Sequence, residues 1–149
     1  MKHPALDEIP DQPSASLSRT MVRLLLGLAM TFAGVMHLTL ARQDFQAQVP
    51  SWIPFSEDLV VLVSGVVEIA FGLALLLLPR WRWYVGIALA AFYVLIFPGN
   101  VGQYLEGVDA FGLDTDRKRL IRLFFQPLLV LAALWAAGPL RRGRRQSRH

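Results

Sequence analysis

Six polar side chains interrupt stretches of sequence that are otherwise almost wholly apolar, and they are the residues best suited to chemistry. A glutamate and a histidine can pair or pass a proton, three amides can donate and accept hydrogen bonds, and an arginine can hold an anion. An ionisable group near the centre of a bilayer costs ~2.5–3.5 kcal/mol, so it usually faces the protein interior and has a partner there. We therefore expect Glu68, the only acid within the apolar stretches, to point inward and to reach His37, Asn100, Arg122 or Gln126. The full set is His37, Glu68, Asn100, Gln103, Arg122 and Gln126.

Four apolar stretches carry these residues, and each is about as long as a bilayer crossing. A hydrocarbon core of ~30 Å needs about 20 helical residues, whose backbone polar groups pair within the segment. The chain of 149 residues is 54% hydrophobic and 17% charged, whereas soluble domains have about 25% charged residues. Four buried helices in a soluble protein of this length would leave too few amphipathic faces to meet water. The sequence thus predicts an all-α integral membrane four-helix bundle, with spans in Leu24–Leu40, Leu59–Leu78, Tyr84–Phe97 continued to Leu105, and Leu120–Leu140.

The six polar residues fall at similar depths in these spans. At 1.5 Å of rise per residue, Glu68 lies ~14 Å below the outer boundary of an incoming helix. His37 comes late in the outgoing first helix, as do the two amide residues of the third helix. The two polar residues of the fourth helix come early in an incoming span. We expect all six to lie in the outer half of the bundle.

Lysine and arginine are distributed unequally between the two sides that four crossings create. The N-terminal segment, the Pro79–Trp83 turn and the C-terminal segment hold ten of the fifteen, and the other side holds five. Short loops rich in these cations stay cytoplasmic, which predicts both termini inside and a multi-pass protein of the bacterial inner (plasma) membrane. We expect residues 1–20 to be a disordered cytoplasmic tail, residues 21–140 the membrane domain, and residues 141–149 a basic cytoplasmic tail. The basic charge of the C-terminal tail is explained either by its cytoplasmic location or by contact with anionic lipid head groups. It does not require nucleic acid, and we expect no nucleic-acid partner.

Two prolines lie close to the polar residues in the predicted third and fourth helices. Pro98, followed by Gly99, removes a backbone hydrogen bond and is expected to break or kink the third helix, and Pro127 opens a similar kink in the fourth. Carbonyl groups freed at membrane depth are tolerated only against protein or a wet cavity. Two such kinks favour an outward-facing pocket. The alternative is that the polar side chains form a hydrogen-bonded lock that fixes helix packing, and for Glu68 and Asn100 both interpretations stay open.

Several classes of chemistry lack the residues they need. The chain has no cysteine, which excludes disulfides, thiolate metal sites, iron–sulfur clusters and cysteine nucleophiles. Its sequence has no phosphate-binding loop, nucleophile elbow or zinc-binding helix, and its three histidines are too far apart in depth to share a metal. We therefore assign no catalytic and no metal-binding residue. A quinone is the one cofactor that the sequence leaves open, because a quinone site needs only hydrogen-bonding groups.

Four short motifs follow one another along residues 20–137: Ala33-Gly34-Val35-Met36-His37, Val49-Pro50, Ser64-Gly65-Val66-Val67-Glu68-Ile69 and Phe97-Pro98-Gly99-Asn100. In this order and spacing they resemble the DoxX and DoxX-like family of small bacterial membrane proteins. The resemblance implies a four-helix membrane protein in which His37, Glu68 and Asn100 occupy recurring polar positions. It also implies a link to membrane complexes. Some members accompany membrane oxidoreductases, one founding example is a subunit of a thiosulfate:quinone oxidoreductase, and distant animal relatives act as receptor-assembly chaperones.

Two functional hypotheses follow from the residues and the resemblance. The first is a non-enzymatic accessory or assembly subunit that binds a small amphiphile in the outer pocket. The second is a quinone-handling subunit of a membrane oxidoreductase complex, with His37 and Glu68 as proton carriers. Both make the lipid bilayer and another membrane or redox protein the expected partners. A small transporter is disfavoured, because four helices rarely provide alternating access without dimerising.

Overall fold

Five helices and their connections make up the part of the chain that the computed structural model describes, residues 16–139, and these residues contain no strand. Four of the helices are long and apolar enough to cross a membrane. The all-α class and the four candidate membrane spans are therefore confirmed. The helices are α1 (Leu17–Leu38), α2 (Arg42–Gln46), α3 (Glu57–Leu77), α4 (Arg82–Glu106) and α5 (Asp116–Ala137), and α2 is the short one; a 3₁₀ turn (Pro79–Trp81) precedes α4.

Polar side chains and a glycine determine where several helices begin and end. Ser56 Oγ accepts a hydrogen bond from the backbone N–H of Leu59 at 3.3 Å and so caps α3. Thr115 Oγ1 accepts one from the backbone N–H of Lys118 at 3.3 Å and caps α5. Acidic residues follow both caps in the first turn, where the helix dipole favours negative charge. α4 ends at Gly107, whose φ of +65° is the left-handed conformation that glycine adopts without strain.

The helices differ from the predicted stretches at their ends. α1 begins at Leu17, so residues 17–20 are helical and do not belong to the predicted tail. The remainder of the two predicted tails, residues 1–15 and 140–149, lies outside the described residues. α2 was not predicted, because its polar sequence resembles an interfacial connection. The prediction followed apolar composition, whereas a helix continues through polar residues as long as its backbone hydrogen bonds continue.

Neither proline interrupts its helix. α4 continues through Pro98 and α5 through Pro127, so of the break or kink predicted for the third helix, the break is wrong. A proline removes one backbone donor and crowds the carbonyl group four residues earlier. In membrane proteins, side chains of neighbouring helices replace such lost bonds. Pro98 leaves the carbonyl oxygen of Val94 without its helical donor, and next to it Gln126 Nε2 donates to the carbonyl oxygen of Tyr93 at 2.6 Å, which adds a side-chain bond to the backbone of this turn.

Small residues make the closest helix contacts. α1 packs on α3 where Gly34 faces Gly65, and a Cβ placed on Gly34 would lie 2.5 Å from the Gly65 carbonyl oxygen. α4 packs on α5 in the same way at Gly86, where a Cβ would lie 2.9 Å from the carbonyl oxygen of Ala133. α1 also packs on α5, and α3 packs on α4. Small residues permit this close backbone approach within a membrane.

The apolar core lies between two chemically different ends of the molecule. We call the end at which α1 and α4 finish and α3 and α5 start the α2 end, because α2 lies there. The opposite end, with the start of α1, the end of α5 and the 3₁₀ turn, is called the terminal end. Between them, the core consists of Leu26, Met30, Leu75, Leu89, Ala90, Tyr93, Ala133 and Ala136.

Candidate functional site

His37 and Glu68 form a buried pair between α1 and α3. His37 lies in the last turn of α1 and Glu68 near the middle of α3, and only 7% and 6% of their surfaces are exposed. His37 Nδ1 lies 3.0 Å from Glu68 Oε2 and 3.0 Å from the carbonyl oxygen of Ala33, but only the contact with Ala33 has hydrogen-bond geometry. Glu68 Oε2 is left without an aligned donor in the described part of the chain. The predictions that Glu68 points inward and reaches His37 are confirmed.

A glycine of α3 makes room for this pair. A Cβ on Gly65 would lie 2.8 Å from His37 Cβ and 3.0 Å from the carbonyl oxygen of Gly34. His37 therefore lies directly against the bare backbone of α3, three residues before Glu68. The position of the histidine depends on a residue that has no side chain.

One aromatic ring covers His37 from the α2 end, and a second packs against the first. Phe45 of α2 stacks on the His37 ring, with 3.3 Å between ring centroids and 17° between planes. Phe111, in the connection between α4 and α5, meets Phe45 edge-on at 4.5 Å. The guanidinium carbon of Arg122 lies 5.3 Å from the centroid of Phe111, within the range of a cation–π contact. Phe111 has a φ of +55°, which is unfavourable for a bulky residue, so the surrounding contacts must hold it in place.

Asn100 and Gln126 join α4 to α5 through buried amide groups. Asn100 Nδ2 donates to Gln126 Oε1 at 2.9 Å, and Gln126 Nε2 donates in turn to the carbonyl oxygen of Tyr93. The Tyr93 hydroxyl donates to Met30 Sδ at 3.1 Å. The hydrogen bonds thus run from the Asn100 side chain on α4 to Gln126 on α5, and from Gln126 to the α4 backbone near Pro98. Buried polar groups need such protein partners where no water reaches them.

Gln103 and Arg122 form a second contact between α4 and α5. Arg122 donates to Gln103 Oε1 at 3.1 Å and to Gln48 Oε1 at 3.0 Å, while Gln48 Nε2 donates to Gln103 Oε1 at 3.0 Å. Gln48 comes from the connection between α2 and α3. That connection lies close on α4 because Gly99 has no side chain; a Cβ there would lie 3.1 Å from the Gln48 carbonyl oxygen. The connection between α2 and α3 therefore packs against α4 at Pro98–Gly99.

Sequence reasoning missed Arg119, which organises the connection between α4 and α5. Its side chain is buried and donates to Asp109 Oδ1 at 2.7 Å, to the carbonyl oxygen of Leu113 at 2.8 Å and to Asp116 Oδ1 at 3.0 Å. The spacing of Asp116 and Arg119, three residues apart at the start of a helix, is the available signal for this role. Gln48, Phe45 and Phe111 were missed as well. Their contacts depend on how two connections fold back, which spacing does not show.

The structure places the six predicted residues in three groups. The groups are His37 with Glu68, Asn100 with Gln126, and Gln103 with Arg122. Four of the residues lie in the half of the molecule nearer the α2 end, while Glu68 and Gln126 lie near the middle of α3 and α5. α3 and α5 start earlier than predicted, which accounts for the greater depth of these two.

A lateral cleft of about 360 Å³ reaches the amide contact between α4 and α5. Gln126 is its one polar side chain, and Pro127 lies beside it. This cleft follows the α4–α5 seam, whereas the prediction was of a pocket facing outward. The lining residues are Val94, Phe97, Gln126, Pro127, Val130 and Leu131.

These groups provide a limited range of chemistry. The His37–Glu68 pair can hold or exchange one proton, and the amides can bind a hydrogen-bonding head group. Within residues 16–139, no cluster of three or more His, Cys, Asp or Glu side chains that could hold a metal ion is found.

A comparison with known families decides the classification. The model of a domain of unknown function, DUF8561, matches residues 26–137. The chain belongs to the DUF8561 family. The DUF8561 match includes all six predicted site residues, the whole of α2 to α5 and more than half of α1. Comparisons with curated proteins and with solved structures gave no match.

Proposed function

We propose that this DUF8561 protein is a non-enzymatic accessory or assembly subunit of a membrane complex, with a small polar site in the half of the bundle nearer the α2 end. The observation that carries the proposal is that the buried polar side chains bond mainly to one another and to the backbone. Two side-chain contacts connect α4 to α5, namely Asn100 with Gln126 and Gln103 with Arg122. Between α1 and α3, Glu68 lies against His37. Such paired groups specify helix packing; a catalytic centre would leave groups directed at a substrate.

The proposal includes a location and an orientation. The protein is a four-helix bundle in the bacterial inner membrane, with both termini in the cytoplasm. The ten-to-five division of lysine and arginine supports this orientation, as does the resemblance of the four motifs to DoxX-like proteins. A reporter fused to the C-terminus tests it: a cytoplasm-specific reporter should be active and a periplasm-specific one inactive. The reverse result would refute the orientation.

The accessory role is tested by removing the gene and measuring the membrane proteome. An assembly or accessory subunit should leave at least one membrane complex depleted when it is absent, and the wild-type gene should restore that complex. A variant with a disrupted amide contact, Asn100→Leu, should restore it only in part. If no membrane protein changes in abundance or assembly, the proposal is wrong.

The second candidate function, a quinone-handling subunit of a membrane oxidoreductase complex, is favoured by one observation. The α4–α5 cleft has an apolar lining suited to a quinone, and its one polar lining residue is Gln126, whose amide is bonded to Asn100 and to the carbonyl oxygen of Tyr93. The test is to extract lipids from the protein purified in mild detergent and to quantify quinone per chain. Stoichiometric quinone that is lost in Gln126→Leu would favour this candidate, and a content no higher than in control membranes would exclude it.

A further inference from the structure

Two arginines converge at the terminal end of the molecule. Arg19 lies in the first turn of α1, and Arg82 is the first residue of α4. Both extend toward Gly138, which follows the last residue of α5. A Cβ placed on Gly138 would lie 3.6 Å from Arg19 Nη1 and 3.9 Å from Arg82 Nη2. The two guanidinium nitrogens are thus no further apart than the sum of these two distances, a gap that one phosphate group bridges with a hydrogen bond on either side.

Neither guanidinium is neutralised within residues 16–139. The ion pairs of this part of the chain involve other cations. Arg19 Nε is buried and has no hydrogen-bond partner there, while the guanidinium carbon lies 4.9 Å from the centroid of the Trp135 ring. Arg23, one turn further along α1, differs because it donates to the carbonyl oxygen of Leu75. Arg119 Nε is likewise buried without a partner, but the Nη groups of Arg119 donate to Asp109 and Asp116. Arg19 and Arg82 have no carboxylate among residues 16–139, and an anionic ligand supplies the acceptor that they lack.

An apolar groove begins at the same place. It has a volume of about 530 Å³ and lies between α1 and α5. Trp135 belongs both to the groove and to the arginine site, since Arg19 lies over its ring. Tryptophan is enriched where hydrocarbon meets head groups, so this arrangement marks the membrane boundary. The groove is lined by Val22, Leu131, Ala132, Leu134 and Trp135.

We propose that this end of the molecule is a binding site for one anionic phospholipid. The phosphate lies between Arg19 and Arg82, each of which can donate two parallel N–H bonds to it. An acyl chain lies in the groove below, and Trp135 separates the head group from the chain. A free phosphate ion would use the two arginines and leave the groove empty, which is why the groove identifies the ligand as a lipid. This site is separate from the polar groups of the α2 end and does not depend on the proposed function.

The experiment measures lipid retention by the full-length protein in detergent micelles, using native mass spectrometry. Three probes are titrated separately: dioleoyl-phosphatidylglycerol, dioleoyl-phosphatidylcholine and inorganic phosphate. The test variant is R19Q/R82Q, and R80Q is the matched control because Arg80 is an exposed arginine in the turn at the same end. R19K/R82K retains the charge without the forked geometry, and circular dichroism verifies that each variant is helical.

We expect one phosphatidylglycerol to be retained saturably and its affinity to fall about 25-fold in R19Q/R82Q, since each arginine near an anionic head group contributes a factor of about five. R80Q should bind as the wild type does, and R19K/R82K should lie between the two. Equal retention of phosphatidylcholine would show that the groove alone binds, and saturation by inorganic phosphate would show a free-anion site; either result overturns the proposal. So does a loss in R80Q as large as in R19Q/R82Q, which would indicate diffuse charge attraction. If R19Q/R82Q fails to fold, R19K/R82K decides, and unchanged affinity in that variant refutes the forked contact.

Discussion

Replacing Gly34 with alanine should separate α1 from α3 and loosen the His37–Glu68 pair. An alanine Cβ at this position would lie 2.5 Å from the carbonyl oxygen of Gly65, 2.7 Å from Ile69 Cγ1 and 2.9 Å from the backbone nitrogen of Ile69. Two of these three atoms belong to the backbone of α3, which cannot rotate away as a side chain would. The helices must therefore move apart, and His37 lies one turn further along α1, so it moves with them.

The size of the effect is obtained by comparison with Gly102→Ala. A Cβ at Gly102, in α4, would meet only Pro50 Cγ at 4.0 Å, which is ordinary van der Waals contact. Both substitutions lie inside long helices, and both gain ~0.5–1 kcal/mol from the higher helix propensity of alanine. Inserting a methyl group into a closely packed contact costs about 1–3 kcal/mol. The propensity gain cancels between the two variants, so Gly34→Ala should be less stable than Gly102→Ala by about 1–3 kcal/mol.

The assay is unfolding of the detergent-solubilised protein, followed by circular dichroism at 222 nm, with the free energies of the two variants compared under identical conditions. A stability of Gly34→Ala equal to that of Gly102→Ala would refute the inference that α1 and α3 touch through their backbones. Gly34→Ser provides a second measurement, because it adds a larger side chain at the same point and should destabilise further.

Three further predictions concern charged and amide groups. Glu68→Gln should be tolerated if the residue is a packing lock, whereas Glu68→Leu should destabilise by about 1–3 kcal/mol; a Glu68→Gln variant that folds normally but loses complementation would show a ligand or proton site instead. In a double-mutant cycle of Asn100→Leu and Gln126→Leu, the coupling free energy should be ~0.6 kcal/mol and at most ~1.7, and zero coupling would contradict the hydrogen bond. The hydrogen bond from Lys118, at 2.7 Å, and its positive charge lower the pKa of Asp114 below its usual 3.8. The contact should thus be present at neutral pH and lost as pH falls through the lowered pKa, and an NMR titration of Lys118→Met should give a pKa nearer 3.8.

The number of long helices and their approximate positions could be predicted because a bilayer imposes a simple rule. Each crossing needs about 20 apolar residues with internal backbone pairing, and this requirement is visible in composition alone. The ends were less accurate, since Leu17 and the next three residues are helical despite their mixed character. α2 escaped prediction because five polar residues give no periodicity that distinguishes a helix from a connection.

The structure brings the six predicted polar residues together in pairs, but the residues around them were predicted only in part. The cost of a buried charge predicted that Glu68 points inward and has a polar partner among four residues, and in the structure that partner is His37. The partners of Arg122 did not follow, since Gln48 reaches it through a connection that folds back onto Gly99. Such a contact depends on tertiary packing, for which the spacing of residues along one helix gives no signal. Of the break or kink expected at Pro98, the break did not occur, because the loss of one hydrogen bond does not end a helix whose other backbone bonds continue.

The arginines at the two ends of the molecule differ in their acceptors, although Arg119 and Arg19 each have a buried Nε without a partner in the described residues. At the α2 end, Arg122 donates to two glutamine side chains and Arg119 to two aspartates and a carbonyl group, so both cations have acceptors within the protein. At the terminal end, Arg19 and Arg82 converge without a carboxylate from residues 16–139. A polar group paired within the fold stabilises the fold, whereas a half-buried guanidinium without an acceptor there favours one from outside. The α2 end thus holds the helix-to-helix connections, and the terminal end is the proposed site of an external anionic ligand. Comparing R19Q/R82Q with Asn100→Leu distinguishes the two roles, since only R19Q/R82Q should lose lipid and only Asn100→Leu should lose stability through α4 and α5.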